Sequence, residues 1–264
     1  MGTKGLKSNI FLFAALTVAF GMEIFAPGPQ FFSSCAMRLP LIGAPLLTGR
    51  YLLKCRSLKL GGDPALSLYE AIRRLPGVKH VFISSGLRYD LLLEPEAEAY
   101  FQGLCEHYVS GQMKVAPEHT DNKVLALMNK PPHERYEAFV RKFEQINARA
   151  KNRKYLVNYF ISAHPGAGLE EAFSCAMTLL SHGLRPEQVQ DFLPLPMTVA
   201  GAMYHTGAHP LTGEAVYVPK EDRERAMQRA LVQSQNPANS TLIWKALSLL
   251  GKTHLAGRFT KRCQ

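Results

Sequence analysis

The alternation of strand-like and helix-like segments constrains the fold more than any other feature of this sequence. From residue 61 onward, short segments rich in β-branched and aromatic residues are each followed by a segment whose apolar residues have helical spacing. The predicted strands are residues 78–84, 112–116, 155–162 and 189–193. Because strands that alternate with helices build βα units, the sequence predicts an α/β fold with a parallel sheet, either curved or open.

Helix signals separate the predicted strands. Pro95 falls in the first turn of one predicted helix, Asp121 has the side chain of an N-cap, and Gly183 follows the end of another helix. The predicted helices are residues 63–75, 94–108, 121–128, 132–150, 169–182, 200–205, 220–233 and 242–250. The last two are followed by no strand, so they form a helical extension at the carboxyl end.

Four loops follow the predicted strands, and each carries polar groups or glycine. They are residues 85–90, 117–120, 164–168 and 194–198. Because parallel strands end at one edge of their sheet, where ligands bind, we expect these loops to line one pocket.

Charged and imidazole side chains in the first two loops are candidate ligand contacts, each with a structural alternative. Glu118 either accepts hydrogen bonds from a ribose or an amino group, or is a loop carboxylate favoured by a nearby helix start. His119 is either a ligand contact or a structural hydrogen-bonding group. Arg88 pairs either with a ligand carboxylate or phosphate, or with Asp90 or Glu94.

The third and fourth loops carry the remaining candidates. His164, which precedes Pro165, either faces the ligand or serves to stiffen the loop. Gly166 and Gly168 precede a predicted helix start, where backbone N–H groups bind an anion or the edge of a ligand. Asp191 ends the last predicted strand, where burial with hydrogen bonding is its expected role.

The charge balance permits nucleic-acid binding without indicating it. The chain carries 31 Lys and Arg against 21 Asp and Glu, a formal net charge of +10. The densest basic groups, at residues 141–142, 149–154 and 258–262, lack the interleaved aromatic residues of a single-strand binding platform. We therefore predict no nucleic-acid partner, and the substrate is unassigned.

The cysteine pattern indicates a reducing compartment. The five cysteines are Cys35, Cys55, Cys105, Cys175 and Cys263. Their spacing fits neither a disulfide framework nor a zinc site, so we predict a cytoplasmic protein and no metal ligands. Cys105 and Cys175 fall on apolar helix positions and are expected to be buried, inert thiols.

The amino-terminal segment, residues 1–62, has no assigned fold. Residues 10–20 are an uninterrupted apolar run, too short for a transmembrane helix of ~20 residues but as long as the apolar part of a signal peptide. A proline-rich, loop-like stretch follows. The predicted protein has no membrane partner, and export through residues 10–20 is the alternative.

Five sequence blocks, in order between about residues 63 and 258, resemble successive blocks of the YgiQ-like family of radical S-adenosylmethionine (SAM) proteins. The blocks are LPGVKHVFISSGLRYDLLL, HYVSGQMKVAPEHTDNKVLALMNKP, YLVNYFISAHPGAGLEEAF, GLRPEQVQDFLPLPMTVAGAMYHTGAHPLTGEAVYVPK and EDRERAMQRALVQ. They match the second half of the family. Residues 1–62 do not match its first half, which supplies a CxxxCxxC triplet.

The resemblance implies a partial (β/α) barrel of radical SAM type with about four parallel strands over residues 63–215, and a helical carboxyl-terminal extension over residues 216–264. The implied cofactors are SAM and a 4Fe–4S cluster, and the implied chemistry is reductive cleavage of SAM to a 5′-deoxyadenosyl radical. Glu118 and the loop from Ser162 to Gly168 match blocks that lie against SAM in such barrels. The predicted cofactor-binding residues are therefore Glu118, His119, Ser162, His164, Gly166, Gly168 and Arg88.

The leading functional hypothesis is a truncated or divergent radical SAM enzyme homologue. Its cluster ligands are absent from this chain and would come from elsewhere, for example from a separate chain that supplies the cluster-binding half. The first alternative is a non-catalytic remnant or binding module that lacks the cluster. The second is an exported or membrane-tethered protein led by residues 10–20.

Overall fold

The structure is a computed structural model that describes residues 63–150 and 152–260 of the 264-residue chain. The predictions for residues 1–62, including the apolar run 10–20, lie outside the described residues. So do Cys35, Cys55 and Cys263. No helix within the described ranges combines the length and the apolar character needed to cross a bilayer.

The described strands form a four-stranded parallel sheet, which confirms the predicted α/β class. Its order is β1 (Gly86–Leu87), β2 (Gln112–Glu118), β3 (Tyr155–Ser162) and β4 (Gln188–Asp191). In the β1–β2 pair Gly86 stands opposite Lys114, and in the β3–β4 pair Ser162 stands opposite Asp191. The predicted positions of β2, β3 and β4 are confirmed to within a few residues.

The prediction of a strand at residues 78–84 is wrong. The only strand in this region is β1, two residues long and at the edge of the sheet. Val81 is buried nonetheless, and the Ile83 N–H donates to the Tyr108 carbonyl at 2.9 Å rather than to a strand. The apolar pattern indicated a buried segment, but only Val81 is buried, and it is buried without sheet pairing.

The described part of the chain contains nine α-helices, and all eight predicted helices are among them. They are α1 (Asp63–Arg73), α2 (Glu98–Gly103), α3 (Asn122–Leu127), α4 (His133–Arg149), α5 (Leu169–Ser181), α6 (Val199–Thr206), α7 (Asp222–Val232), α8 (Ser240–Leu249) and α9 (Ala256–Thr260). The prediction for residues 94–108 covers a 3₁₀ turn at Pro95–Ala97, then α2, then a π-helical turn at Leu104–Tyr108.

Local capping signals explain where several helices begin and end. The Asp121 carboxylate accepts the backbone N–H groups of Lys123 and Val124, which confirms it as the N-cap of α3. After α5, Gly183 adopts a left-handed conformation with φ 64°, as the sequence predicts for a helix terminator.

The chain divides into two compact units. The described part of the first unit is residues 63–115, 137–150 and 152–156, and that of the second is residues 116–136 and 157–260. The first unit is centred on aromatic residues. Phe139 of α4 stacks on Phe101 of α2 with a centroid separation of 5.4 Å and lies 5.7 Å from the ring of Tyr89.

The core of the second unit joins α5, α7 and α8. Its largest buried side chains are Phe173, Met227, Leu231, Ile243 and Leu247, joined by Phe259 of α9. A smaller group connects β3 to α5 through Phe160, Cys175 and Leu179. Burial of these apolar faces positions the loops after β2, β3 and β4 within this unit.

Candidate ligand site at the carboxyl edge of the sheet

In the second unit, the carboxyl ends of three strands bring polar side chains to one edge. β2 ends at Glu118, β3 at Ser162 and β4 at Asp191. The Ser162 hydroxyl donates to Oδ1 of Asp191 at 2.6 Å, so these two strand ends are joined by their side chains as well as by backbone pairing.

Each of these three strands is also followed by, or ends in, a strained backbone position. Glu118 (φ 65°), Ala163 (φ 59°) and Met197 (φ 63°) are three of the four non-glycine residues with positive φ in the described part of the chain. A left-handed conformation costs a residue with a Cβ about 1 kcal/mol or more. Such strain concentrates at ligand-binding loops, because it holds side chains in directions that relaxed backbone does not allow.

Glu118 forms an ion pair that still leaves its carboxylate accessible. Oε1 lies 2.7 Å from Nζ of Lys130, which follows α3, and the Glu118 side chain is 18% exposed. One ammonium group does not saturate a carboxylate, which has about four acceptor positions. A ligand donor can therefore reach Glu118 while Lys130 remains bound.

His119 is buried and neutral. Its side chain is 2% exposed, and Nδ1 accepts the backbone N–H of Asp121 at 3.0 Å. Burial lowers the pKa of His119 to about 4, and the neighbouring imidazoles of His164 and His133 lower the pKa further against the opposing charge of Asp121. Because Nδ1 is the acceptor, the ring hydrogen is on Nε2.

His164 is the second buried imidazole of the site. Its Nδ1 lies 2.7 Å from the Pro165 carbonyl, so Nδ1 carries the hydrogen and donates it. Burial lowers the pKa of His164 to about 4, so this ring is also neutral at pH 7. The ring meets Phe192 edge to face with a centroid separation of 4.8 Å, a contact that holds the loop after β3 against the loop after β4.

The backbone N–H groups of the two predicted glycines are engaged within the protein. The Gly166 N–H donates to the Tyr217 carbonyl at 2.7 Å, and the Gly168 N–H donates to Oε2 of Glu171 at 2.9 Å. Gly166 has φ 91°, and a Cβ there would lie 2.2 Å from Cδ1 of Leu127. Gly166 is thus required by backbone conformation and by close packing.

Arg88 lies in the first unit, whereas the other predicted site residues lie in the second. Its Nε and Nη2 donate to the two carboxylate oxygens of Asp90 at 2.8 and 2.5 Å. Asp90 is 1% exposed, so this salt bridge is largely removed from water. The structure therefore shows the salt-bridge alternative for Arg88.

Sequence reasoning missed Gln228, the residue that holds the loop after β3. Its Oε1 accepts the N–H of Ala163 at 3.1 Å, and its Nε2 donates to the Ala167 carbonyl at 2.9 Å. Gln228 is 1% exposed. The signal was present, because Gln228 lies one helical turn before Leu231 and Val232 on the apolar face of α7.

Two arginines of α7 bind the carboxyl end of β4 and the residue that follows it. Nη1 of Arg229 lies 2.8 Å from Oδ2 of Asp191, and Nη2 of Arg225 donates to the Phe192 carbonyl at 3.0 Å. Ser162, Asp191 and Arg229 thereby form a continuous hydrogen-bonded chain. Asp191 is partly buried and hydrogen-bonded, as the sequence indicated.

The donor set for an iron–sulfur cluster is not found among the described residues. Cys105 and Cys175 are both buried, and burial raises the pKa of their thiols to about 12 and about 11. Cluster ligation requires thiolates, which these environments disfavour. In residues 63–150 and 152–260 no group of three or more His, Cys, Asp or Glu side chains is placed to hold a metal ion.

SAM, by contrast, fits the chemistry of this edge. SAM presents an ammonium group and ribose hydroxyls as donors and a carboxylate as an acceptor. Glu118 and Asp191 supply acceptors, and Lys130 supplies a cation beside Glu118.

Comparison with known proteins shows similarity over most of the chain. Residues 187–263 match a domain of unknown function, DUF3362. A UPF0313 protein of Clostridium botulinum strain 657 is 45% identical over 203 residues, which cover 77% of this chain and 32% of that protein. UPF0313 proteins of Methanosarcina acetivorans and of Clostridium perfringens ATCC 13124 are 45% and 44% identical over 207 residues, 78% of this chain and 28% and 31% of those proteins. The chain therefore matches about a third of the length of these curated relatives.

Proposed function

We propose that this chain is a radical SAM enzyme homologue of the YgiQ-like type whose described residues form part of a (β/α) barrel and contact SAM. Similarity to UPF0313 proteins over 77–78% of the chain supports a common fold with them, and the five sequence blocks support the radical SAM assignment. The whole activity, the substrate and any partner chain are part of this proposal.

The observation that carries the proposal is the strained backbone after β2, β3 and β4. Three left-handed non-glycine residues, Glu118, Ala163 and Met197, lie at or after the ends of these strands. Together with Lys130 and the Ser162–Asp191 pair, they are what a pre-formed ligand site would need. Glu118 then accepts a hydrogen bond from the ammonium or ribose of SAM. The neutral His119 and His164 shape the wall without adding charge.

A bound 4Fe–4S cluster would supply the electron for reductive cleavage of SAM. Its ligands would come from outside the described residues. The contribution proposed for this chain is therefore to bind and orient SAM.

Substitution of Glu118 tests the proposal. Glu118→Asn removes the carboxylate, and asparagine tolerates the left-handed backbone better than most residues. We expect SAM affinity, measured by calorimetry on the full chain, to fall by about tenfold, as expected for the loss of a charged hydrogen bond. Glu118→Ala should show the same loss.

Controls separate binding from folding. The urea midpoint of Glu118→Asn should stay close to that of the unsubstituted protein, and Glu144→Gln, which changes an exposed glutamate of α4, should leave SAM affinity unchanged. An unaltered affinity in Glu118→Asn would remove Glu118 from the site.

A second candidate function is a binding module without radical chemistry. It is favoured by the two buried thiols, Cys105 and Cys175, whose raised pKa values do not suit metal ligation. Iron content after anaerobic reconstitution distinguishes the two functions. Near-zero iron in a folded protein that still binds SAM supports the binding module.

A further inference from the structure

A cavity of 790 Å³ lies beside the first turn of α5 in the second unit. α7 and α8 form its other walls, together with Tyr217. Its volume is within the roughly 300–1,000 Å³ of small-molecule sites. Of the predicted cofactor-binding residues, Gly166 and Gly168 line it, but their N–H groups are bonded within the protein. Glu118 and Ser162 do not line it, so its occupant is a separate question from the contacts proposed for SAM.

The lining of this cavity is acidic although the chain as a whole is basic. The first turn of α5 contributes Glu170 and Glu171, and the start of α7 contributes Glu221 and Glu224. Against these four carboxylates the lining has two cations, Arg223 and Lys245, a formal balance of −2. The whole chain carries +10, so the sign is reversed locally.

One of the four carboxylates, Glu221, has no side-chain partner among the described residues, and Glu224 keeps open acceptor positions beside its hydrogen bonds. Glu171 accepts the Gly168 N–H, and Glu224 accepts the Tyr217 hydroxyl at 2.6 Å. Glu170 is paired with Lys252. Glu221 is exposed and makes no side-chain hydrogen bond or ion pair with any described residue.

The protein already binds an ammonium group beside this cavity. Nζ of Lys252 pairs with the Glu170 carboxylate and lies 4.5 Å from the centroid of the Phe173 ring. A carboxylate together with an aromatic face is the usual environment for an alkylammonium group. The cavity repeats this combination with side chains that remain open to a ligand.

The aromatic part of the combination comes from two exposed rings. Trp244, the single tryptophan of the chain, is 57% exposed, and Tyr217 is 55% exposed. Both line the cavity. Large aromatic surface left open in a cavity indicates a contact for apolar or cationic groups.

We propose that this cavity binds a linear organic amine of the polyamine class. One of its ammonium groups pairs with Glu221, and a second reaches the acceptor positions that Glu224 keeps open beside its bonds to Tyr217 and Gln228. Its methylene chain lies against Trp244. The occupant is a free amine rather than a protein segment, because the carboxylates are gathered within a cavity of small-molecule size.

Spermidine titration of the full chain tests the proposal, with the fluorescence of Trp244 as the signal. The single tryptophan lies in the cavity, so ligand binding changes its emission without a label. We expect a saturable change. Sodium chloride at matched ionic strength should not reproduce it, because simple screening has no saturation.

Substitutions of charged lining residues should change the affinity for spermidine in opposite directions. Glu221→Gln should weaken spermidine binding by about three- to tenfold, and Lys245→Met should tighten it by about two- to threefold, because the first removes an attractive charge and the second a repulsive one. Trp244→Ala removes the fluorescence signal, so spermidine binding to this variant is measured by calorimetry. The affinity should be weaker by at least about threefold. Glu144→Gln, which changes an exposed glutamate of α4, should have no effect.

Three outcomes would overturn the proposal. The first is a fluorescence change that sodium chloride reproduces. The second is equal spermidine affinity in the unsubstituted protein and in a folded Glu221→Gln variant. The third is binding of a tetralysine peptide with no saturable binding of spermidine, which would assign the surface to a protein partner.

Discussion

At the scale of single residues, backbone conformation distinguishes the candidate site from the rest of the described chain. The positive φ of Glu118, Ala163 and Met197 costs about 1 kcal/mol or more at each residue. Met197 is in addition fully exposed. A glycine at these positions would remove that cost. The loop after β3 does use glycine at Gly166, where two separate constraints coincide.

Gly166→Ala should destabilise the protein through both constraints. The added Cβ requires a left-handed alanine and would lie 2.2 Å from Cδ1 of Leu127. We expect the free energy of unfolding in urea to fall by about 2–4 kcal/mol. Gly213→Ala is the matched control, because Gly213 has φ 73° but a Cβ added there would meet no atom within 4 Å, and it should cost about 1 kcal/mol.

A double variant separates strain from steric overlap. Leu127→Ala removes the side chain that the new Cβ would meet. Combined with Gly166→Ala, it should recover about 1 kcal/mol relative to the sum of the single changes. Strict additivity would show that the close approach to Leu127 contributes nothing.

The two buried imidazoles predict a loss of stability in mild acid. His119 and His164 have folded pKa values of about 4, below the ordinary value of 6.5. Between these pH values the unfolded chain binds more protons than the folded protein, so the free energy of unfolding falls as pH decreases. The loss should be about 2 kcal/mol per histidine between pH 7 and pH 5.

Urea unfolding of histidine variants at the two pH values checks this prediction. His119→Asn and His164→Asn keep an amide near the position of Nδ1 and cannot gain a proton. Each substitution should reduce the difference in the free energy of unfolding between pH 7 and pH 5 by about 2 kcal/mol, the contribution of one histidine. His205→Gln, at an exposed position of α6, should leave the pH dependence as it was.

At the scale of elements, α7 is the support of the candidate site. It lies in the core of the second unit through Met227 and Leu231, while its Gln228 and Arg229 reach the loop after β3 and the end of β4. One helix therefore contributes both to the apolar core and to the polar edge. It also belongs to the segment, residues 187–263, that matches DUF3362.

Gln228→Ala should destabilise the protein more than the same substitution at a glutamine outside the core. The change leaves the buried Ala163 N–H and Ala167 carbonyl without their partner. We expect a loss of about 2–4 kcal/mol in urea unfolding, because each unsatisfied buried backbone group costs about 1–3 kcal/mol. Gln233→Ala, at the half-buried C-cap of α7, removes one side-chain bond to the Glu187 carbonyl and should cost less than about 1 kcal/mol.

At the scale of the whole molecule, each compact unit contains one described cysteine. Cys105 lies in the first unit and Cys175 in the second, and both thiols are buried. Burial raises the pKa of the two thiols to about 12 and about 11, so very little thiolate is present at pH 8. Thiol chemistry can therefore report the opening of each unit by itself.

Variants that retain one of these two cysteines, with the other four changed to serine, should react slowly with a thiol reagent at pH 8. We expect rates at least about a thousandfold below that of a control in which Ser174→Cys places an exposed thiol on α5, because labelling of a buried thiol requires local or global opening. Urea should accelerate both. Rapid native-state labelling at either position would contradict the burial of that thiol.

The fold class and most element positions follow from local sequence. β3 coincides with the prediction at residues 155–162, and Asp121 caps α3 as predicted, because strand propensity and capping depend on residues close together in the chain. The prediction of the first strand is wrong, since of residues 78–84 only Val81 is buried and the strand that pairs with β2 is Gly86–Leu87.

The sequence by itself determined that β3 ends at Ser162 and put the end of β2 at residue 116, two residues before its actual end at Glu118. It therefore placed Glu118 and Ser162 at one edge of a parallel sheet. Only the tertiary structure decided what those residues contact. Gln228 is 65 residues from Ala163, and Arg229 is 38 residues from Asp191. Such contacts depend on how α7 packs in the core of its unit. No local pattern encodes that packing, because it results from the burial of apolar faces that are distant in the chain.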